Sequence, residues 1–432
     1  MSIRHGRFFF FKRIARNAGA LYLVQIVSFL IPLAEIPILA RSLGPALYGQ
    51  ILFCQALALV ASLLVEYGFN INAAQQVALA RDDIKVRNTI FSQVTLAKVV
   101  LSVPLVFLIF FLWLFGVFEG YVNNFSLLLF VFSYFIAFGF SPMWYFQGME
   151  KMSRPAFLDV FLRLLGLSVL YFFVRNPDDF VMALPILALP PLLNTTLTFL
   201  WCRYEVGAVK WSLVGAFAQI KEGFHFFVYR SSSNLAMSAI PMFLGFTSGK
   251  NAVSEFSPPE KLVKGMTSLV MPFLSAVFPF FSRRLATHAA RQSSWQVSLF
   301  VLCCIGVTAL IGTMLAAGLG PLVLDVMLGT QYPGTHLIYA VLLGVAPLRV
   351  MNQSIAMVFL VPAGSAKAVS YCISGFSIFG VVLGSGLSVL YGSVGMAVGL
   401  LGAEAILFLV MVLLVVQTIR QIKLGVDAER AE

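Results

Sequence analysis

"EIPILARSLGPALYG", residues 35–49, sets a carboxylate inside an apolar run, closes the run with Arg41 and follows it at once with Gly44-Pro45. The break lies between two apolar stretches, 18–40 and 46–69, each long enough to cross a bilayer, which takes about 20 mostly apolar residues. Arg41 therefore falls at a membrane surface, where a charge costs little. Glu35 lies about 9 Å deeper at helical rise and is the member of the pair placed to face an interior.

Composition extends this reading to the whole chain. Of 432 residues, 60% are hydrophobic and only 11% charged, with a mean hydropathy of +0.92, which no soluble domain of this size shows. Apolar runs recur with short polar breaks, and Gly and Pro inside them are better tolerated in bilayer helices than in soluble ones. The fold expected is an all-α polytopic membrane protein. Its twelve spans lie at about 18–40, 46–69, 92–115, 122–143, 156–174, 180–201, 224–248, 262–282, 295–317, 336–361, 368–390 and 394–417. The basic start, "MSIRHGRFFFFKRIARN", leads into an apolar run with no small-residue cleavage site near its end and reads as a retained first helix. The five cysteines fall inside or at the edges of spans and suggest neither a disulfide framework nor a metal site.

With both termini in the cytoplasm, the cytoplasmic loops collect about four times as many Lys and Arg as the opposite side, which receives Arg41, Arg175, Lys250, Lys261 and Lys264. The net charge of +11 is then a matter of topology and of contact with anionic membrane lipids, and no nucleic-acid partner is called for. The connection "CRYEVGAVKWSLVGAFAQIKEG" divides the chain into a six-span lobe over 1–203, a cytoplasmic linker over 204–222 and a second six-span lobe over 223–432. "IPILARSLGPALYGQ" is echoed by "IPMFLGFTSGKNAVSEF" (240–256), as in the parallel repeats of transporters.

Catalytic motifs are missing. "GFTSGK" is one residue short of a phosphate-cradling P-loop and follows no strand, the four histidines show no ligand spacing, and no nucleophile elbow is present. The chain reads as a non-enzyme without a cofactor. Its informative residues are the ionisable groups inside spans, each costing at least ~2.5 kcal/mol at a helix centre unless it faces protein or water. Arg163, Arg230, Arg349, Lys98 and Lys264 are candidates to line an anion-attracting cavity, since Arg presents a fork that suits phosphate. Glu35, Glu66, Asp159 and Glu404 are candidates to carry a coupling proton or cation. Asp159 and Arg163, one helical turn apart, can also neutralise each other, and Lys98 can snorkel toward a helix end.

"ILARSLGPALYGQ" (38–50), "EYGFNINAAQQVA" (66–78), "WYFQGMEKM" (144–152) and "SPPEKLVKGM" (257–266) resemble, in order and spacing, the Wzx-type polysaccharide flippases of the multidrug/oligosaccharidyl-lipid/polysaccharide exporter superfamily. In that family the segment matching Arg41, Leu43, Gly44, Tyr48 and Gly49 is an extracytoplasmic hairpin. Tyr67, Gly68 and Phe69 end the second helix, and Trp144, Phe146, Gln147, Gly148 and Glu150 mark the cytoplasmic end of the fourth. The chain departs from the family where a Gly-Tyr-Tyr-like turn is replaced by Ser254, Glu255 and Phe256. The resemblance implies twelve helices in two lobes around a central cavity that opens alternately to each side of the bacterial inner membrane. It implies a cargo, an undecaprenyl-diphosphate-linked oligosaccharide moved to the periplasmic leaflet for O-antigen, capsule or exopolysaccharide, and polysaccharide polymerase machinery as a further partner. A multidrug extruder of the same superfamily, which a cationic lumen disfavours, and a non-transporting scaffold of a glycan-assembly complex are the alternatives.

Overall fold

The computed structural model describes residues 2–207, 211–227, 232–285 and 288–431, with side chains described from residue 30 to 421 apart from 225–226, 232–233 and 288–294. Among the described residues there is no strand. In hydrocarbon the backbone must satisfy its own polar groups, and a chain this apolar does so by turning into helices end to end.

Nine stretches are long and apolar enough to cross a membrane among the described residues. Three of them, Leu30–Leu79, Asn234–Arg284 and Ala366–Gln421, run to 50, 51 and 56 residues, about twice what one crossing needs. Each is divided by a glycine with positive φ: Gly44 (φ 74°, ψ 173°), Gly249 (φ 85°, ψ 173°) and Gly392 (φ 60°, ψ −143°). That region of backbone space is open almost only to glycine, so a side chain at these positions would be strained. Counting each divided stretch as two crossings gives the twelve expected.

In chain order the helices are α1 Ser2–Glu66, bent at Gly44; α2 Phe69–Leu79; α3 Ile84–Leu114; α4 Phe125–Gly139; α5 Met143–Gly148; α6 Ser153–Phe173; and α7 Phe180–Val206. They continue with α8 Leu213–Phe226; α9 Ser232–Ser238; α10 Ile240–Ser268, bent at Gly249; α11 Met271–Arg284; α12 His288–Leu328; α13 Thr335–Ile355, extended by a π-helical segment Ala356–Leu360; and α14 Ala366–Ala431, bent at Gly392. The eighth crossing begins at residue 250, well before the expected 262. Ser254 and Ser257 dilute its hydropathy, yet both hydroxyls are absorbed by the helix itself, donating to Asn251 O and Val253 O at 2.8 Å. Lys261 and Lys264 therefore stand within a helix and not in a loop. The ninth helix likewise runs on past 317, to Leu328.

Packing separates the chain into two units, residues 1–47 with 57–227 and residues 48–56 with 228–432. In the first, the short helices α2 and α5 carry two of the quoted motifs and pack on each other. A Cβ on Gly148 would stand 2.6 Å from Ala74 O and 2.8 Å from Val77 Cβ, so only glycine lets the helices meet there. Phe69, Phe91, Trp144, Tyr145 and Phe146 are buried around that contact. Arg81 pairs with Glu150 at 2.9 Å and Arg87 donates to Tyr145 Oη at 2.8 Å beside it. The linker is not open chain: α8 lies on this unit, with Gln219 Nε2 donating to Gln76 Oε1 at 3.0 Å and Ala216 fully buried.

In the second unit α14 folds back on itself. Gly395 meets the Leu387 carbonyl, Gly399 lies on the Gly384 backbone, and a Cβ on Gly380 would stand 2.9 Å from Ala403 Cβ. Each step forward on one limb matches a step back on the other, so the limbs run antiparallel. Gly380-x-x-x-Gly384 and Gly395-x-x-x-Gly399, each with the small-residue spacing that lets membrane helices approach closely, meet at Gly384 and Gly399. This zipper fixes the height of Glu404 against its neighbours.

Candidate functional site

In the first unit, α6 brings Asp159 and Arg163 one turn apart, with Arg163 Nε 3.0 Å from Asp159 Oδ2. The Nε–H is not directed along that contact, so charge holds the pair more than hydrogen bonding does. From α7, Asn194 Nδ2 donates to Asp159 Oδ1 at 3.1 Å. Gly166 makes this possible, since a Cβ there would come within 2.5 Å of Pro190 Cγ and force α6 from α7. Arg163, Glu35 and Tyr134 line a cavity of about 20 Å³, room for roughly one water. Glu35 adds its negative charge to that of Asp159 around the guanidinium.

In the second unit, α13 presents Arg349 and Asn352, and the second limb of α14 presents Glu404. Arg349 Nε donates to Glu404 Oε1 at 2.9 Å, and Asn352 Nδ2 donates to Glu404 Oε2 at 2.8 Å and to the Glu404 carbonyl at 3.2 Å. The Arg349 and Glu404 side chains are 18% and 14% exposed. Met237 of α9 lies over the guanidinium, its sulfur 3.9 Å from Nη2.

The two units thus repeat one constellation: an arginine Nε against one carboxylate oxygen, an asparagine Nδ2 on the other, and an asparagine Oδ1 that is buried with no partner. The Asp159–Arg163 pair was legible as an i, i+4 spacing. Arg349 has no carboxylate within a turn, and its partner arrives from 55 residues away. Asn194 carried no signal beyond being a polar residue in an apolar span.

The other candidates fall elsewhere. Lys98 does not snorkel: it is 2% exposed near the middle of α3, and its ammonium donates to Gly139 O at 2.9 Å and Ser141 O at 3.3 Å, with Glu66 as the nearby counter-charge. It satisfies carbonyls left over at the C-terminus of α4, as a cation there does. Lys98→Met is expected to destabilise the protein by about 1–3 kcal/mol, because two carbonyls lose their donor. A fall in Tm in detergent with translocation per folded molecule unchanged would bear this out. Lys264 is exposed and has no ion pair among the described residues. Arg230 lies outside the described residues. Among those described, no three His, Cys, Asp or Glu side chains gather to hold a metal ion. The second unit also holds an apolar cavity of about 530 Å³ lined by Val270, Phe273, Val301, Ile305 and Val350.

A family model described as polysaccharide biosynthesis protein matches residues 14–285, more than half of the chain. The chain belongs to that family. It is 26% identical over 406 residues to a protein of Escherichia coli (strain K12) named "Putative O-antigen transporter", covering 93% of this chain and 96% of that one. A protein of the same name from Shigella dysenteriae is 25% identical over 407 residues, covering 92% and 98%. Two solved structures share the fold. An inward-facing multidrug resistance MATE family transporter of the MOP superfamily has a TM-score of 0.64 at 17% identity, covering 91% of this chain and 95% of that one. The lipid II flippase MurJ in an inward closed conformation has a TM-score of 0.66 at 13% identity, covering 94% and 89%. These two structures show the fold, and the apolar helices make this chain a multi-pass membrane protein.

Proposed function

We propose that this chain is a flippase for undecaprenyl-diphosphate-linked oligosaccharide repeat units, moving them from the cytoplasmic to the periplasmic leaflet of a bacterial inner membrane for O-antigen, capsule or exopolysaccharide synthesis. The observation that carries the reading is the end-to-end match to relatives named as O-antigen transporters. The chemistry supports it. A lipid diphosphate is anionic and its glycan cannot enter hydrocarbon, whereas arginines held at depth can accept phosphate bidentately. Both termini lie in the cytoplasm in this reading, by the distribution of Lys and Arg. Residues 1–203 and 223–432 act as two lobes that alternate around a cationic cavity. Gly44 and Gly249, with nearly the same φ and ψ, mark corresponding turns of a parallel repeat.

Arg349, Arg230 and Lys264 are the basic groups assigned to the cargo, with Arg163 held in reserve by two carboxylates. Purified protein in vesicles is expected to carry a fluorescent diphosphate-linked oligosaccharide across the bilayer, read as the fraction that becomes accessible to a membrane-impermeant glycosidase. If no diphosphate-linked glycan moves above the protein-free rate, the flippase reading fails.

A further inference from the structure

Three observations meet at Glu404. Its carboxylate occupies Arg349, whose planar fork would otherwise be open to any oxyanion. Asn352, 2% exposed, commits Nδ2 twice to Glu404 and leaves Oδ1 with no donor. Among the described residues Arg349 meets this single carboxylate, whereas Arg163 has Asp159 with Glu35 behind it. A carboxylate that loses its cation in a site with this little water is costly to keep charged, and taking up a proton removes that cost.

We propose that Glu404 is an exchangeable internal anion: the diphosphate of the cargo takes its place on Arg349 while the displaced carboxylate takes up one proton from water. The proposal rests on the flippase reading above and adds how that site is loaded. The balance is simple. Arg349 stays cationic throughout, passing from a carboxylate to a phosphate oxygen, and Glu404 passes from carboxylate to acid. A half-turn of the Asn352 amide lets Oδ1 accept the new O–H in place of the bonds that Nδ2 gives up. The space beside Glu404 is lined by Met237 of α9, Phe376, Ser377 and Gly380 of the first limb of α14, and Leu400 and Leu407 of its own limb. None of these titrates. From α13 Arg349 is the charged group that faces Glu404 among the described residues, and α10, which also packs on α14, brings Glu255 to Ser393 at 3.4 Å. The turn after Asn352 leads into the π segment Ala356–Leu360, a wider helix of the kind that recurs where a backbone must adjust at functional sites.

The test is binding of farnesyl diphosphate to the full-length protein in nanodiscs, by calorimetry from pH 6 to 8, for wild type and Glu404→Gln. The glutamine removes both the competing anion and the proton requirement. Wild-type affinity is expected to fall with rising pH by up to about tenfold per unit more than that of the variant, as uptake of one proton dictates. At pH 8 the variant should bind at least about tenfold tighter. The variant's own slope reports titration of the ligand. Calorimetry of wild type alone in two buffers of different ionisation enthalpy gives the proton count without any substitution: a value near one above the ligand's own supports the exchange. Parallel pH profiles, weaker binding by the variant, or no uptake by wild type would overturn it. If neither protein binds the diphosphate while both remain folded, Arg349 is not the phosphate site and the proposal falls. The flippase reading is judged separately by the vesicle assay, which presumes no particular residue.

Discussion

Gly399→Leu is expected to yield little or no folded protein. Gly399 lies on the backbone of Gly384 and Leu383, atoms that cannot rotate aside as a flexible side chain would. Adding methylenes to a tight core costs about 1–3 kcal/mol when neighbours can shift. Here the two limbs of α14 must part instead, and Glu404, five residues on, is drawn away from Arg349 and Asn352 with them. Gly386→Leu is the control, since Gly386 sits on the same helix, is exposed, and has nothing within 4 Å of an added Cβ. Size-exclusion profile and Tm in detergent decide the matter. A Gly399→Leu protein that stays monodisperse with Tm within about 1 °C of wild type, roughly 1 kcal/mol for a chain this long, would contradict the zipper.

Arg349→Leu should cost about 3–5 kcal/mol, the penalty for leaving a partner charge uncompensated in a site with little water. Glu404 is 14% exposed and would keep only the Asn352 amide. Glu404→Leu is expected to cost a similar amount by stranding the guanidinium. The double variant should lose less than the sum, because it removes both charges together, with a coupling of about 0.5–3 kcal/mol. The cycle is measured by denaturant or thermal unfolding in one detergent at one pH. Strict additivity would mean that the two side chains do not depend on each other, against the 2.9 Å contact.

The crossings were legible because apolar runs of the right length admit few other structures in lipid. The three dividing glycines fall at or beside boundaries that the sequence marks with small or polar residues, Gly44-Pro45, Ser248-Gly249 and Gly392-Ser393. The short helices α2 and α5 were not legible. Asn70, Asn72, Gln75 and Gln76 make α2 look like loop, and α5 is too brief to show periodicity. Of the site, Asp159 with Arg163 could be read from a four-residue interval, since the helix itself brings them together. Arg349 with Glu404 could not, because that pairing depends on how α14 packs against α13, and no spacing along the chain encodes it. Glu404 and Arg349 were each noticed as an intramembrane charge and given separate roles, one toward ions and one toward cargo; the contact between them joins those roles. For Lys98 the surroundings could not be read from the sequence either. Its type suggested a ligand for anions, while its surroundings are the backbone carbonyls at the end of another helix.

The two arginine–carboxylate pairs also differ in when they can form. Asp159 and Arg163 leave the ribosome four residues apart and reach the lipid bilayer on one helix as a pair that already cancels. Arg349 precedes Glu404 by 55 residues. At synthesis rates of about 5–20 residues per second, its helix waits roughly 3–10 s before the counter-charge is even made. During that interval the guanidinium carries the full insertion penalty, about 2.5–3.5 kcal/mol at a helix centre, unless something else shields it. Biogenesis of the C-terminal half is therefore a timed event: the tenth crossing is committed on credit from the twelfth, and truncation anywhere between them leaves an unmatched charge for membrane quality control to find.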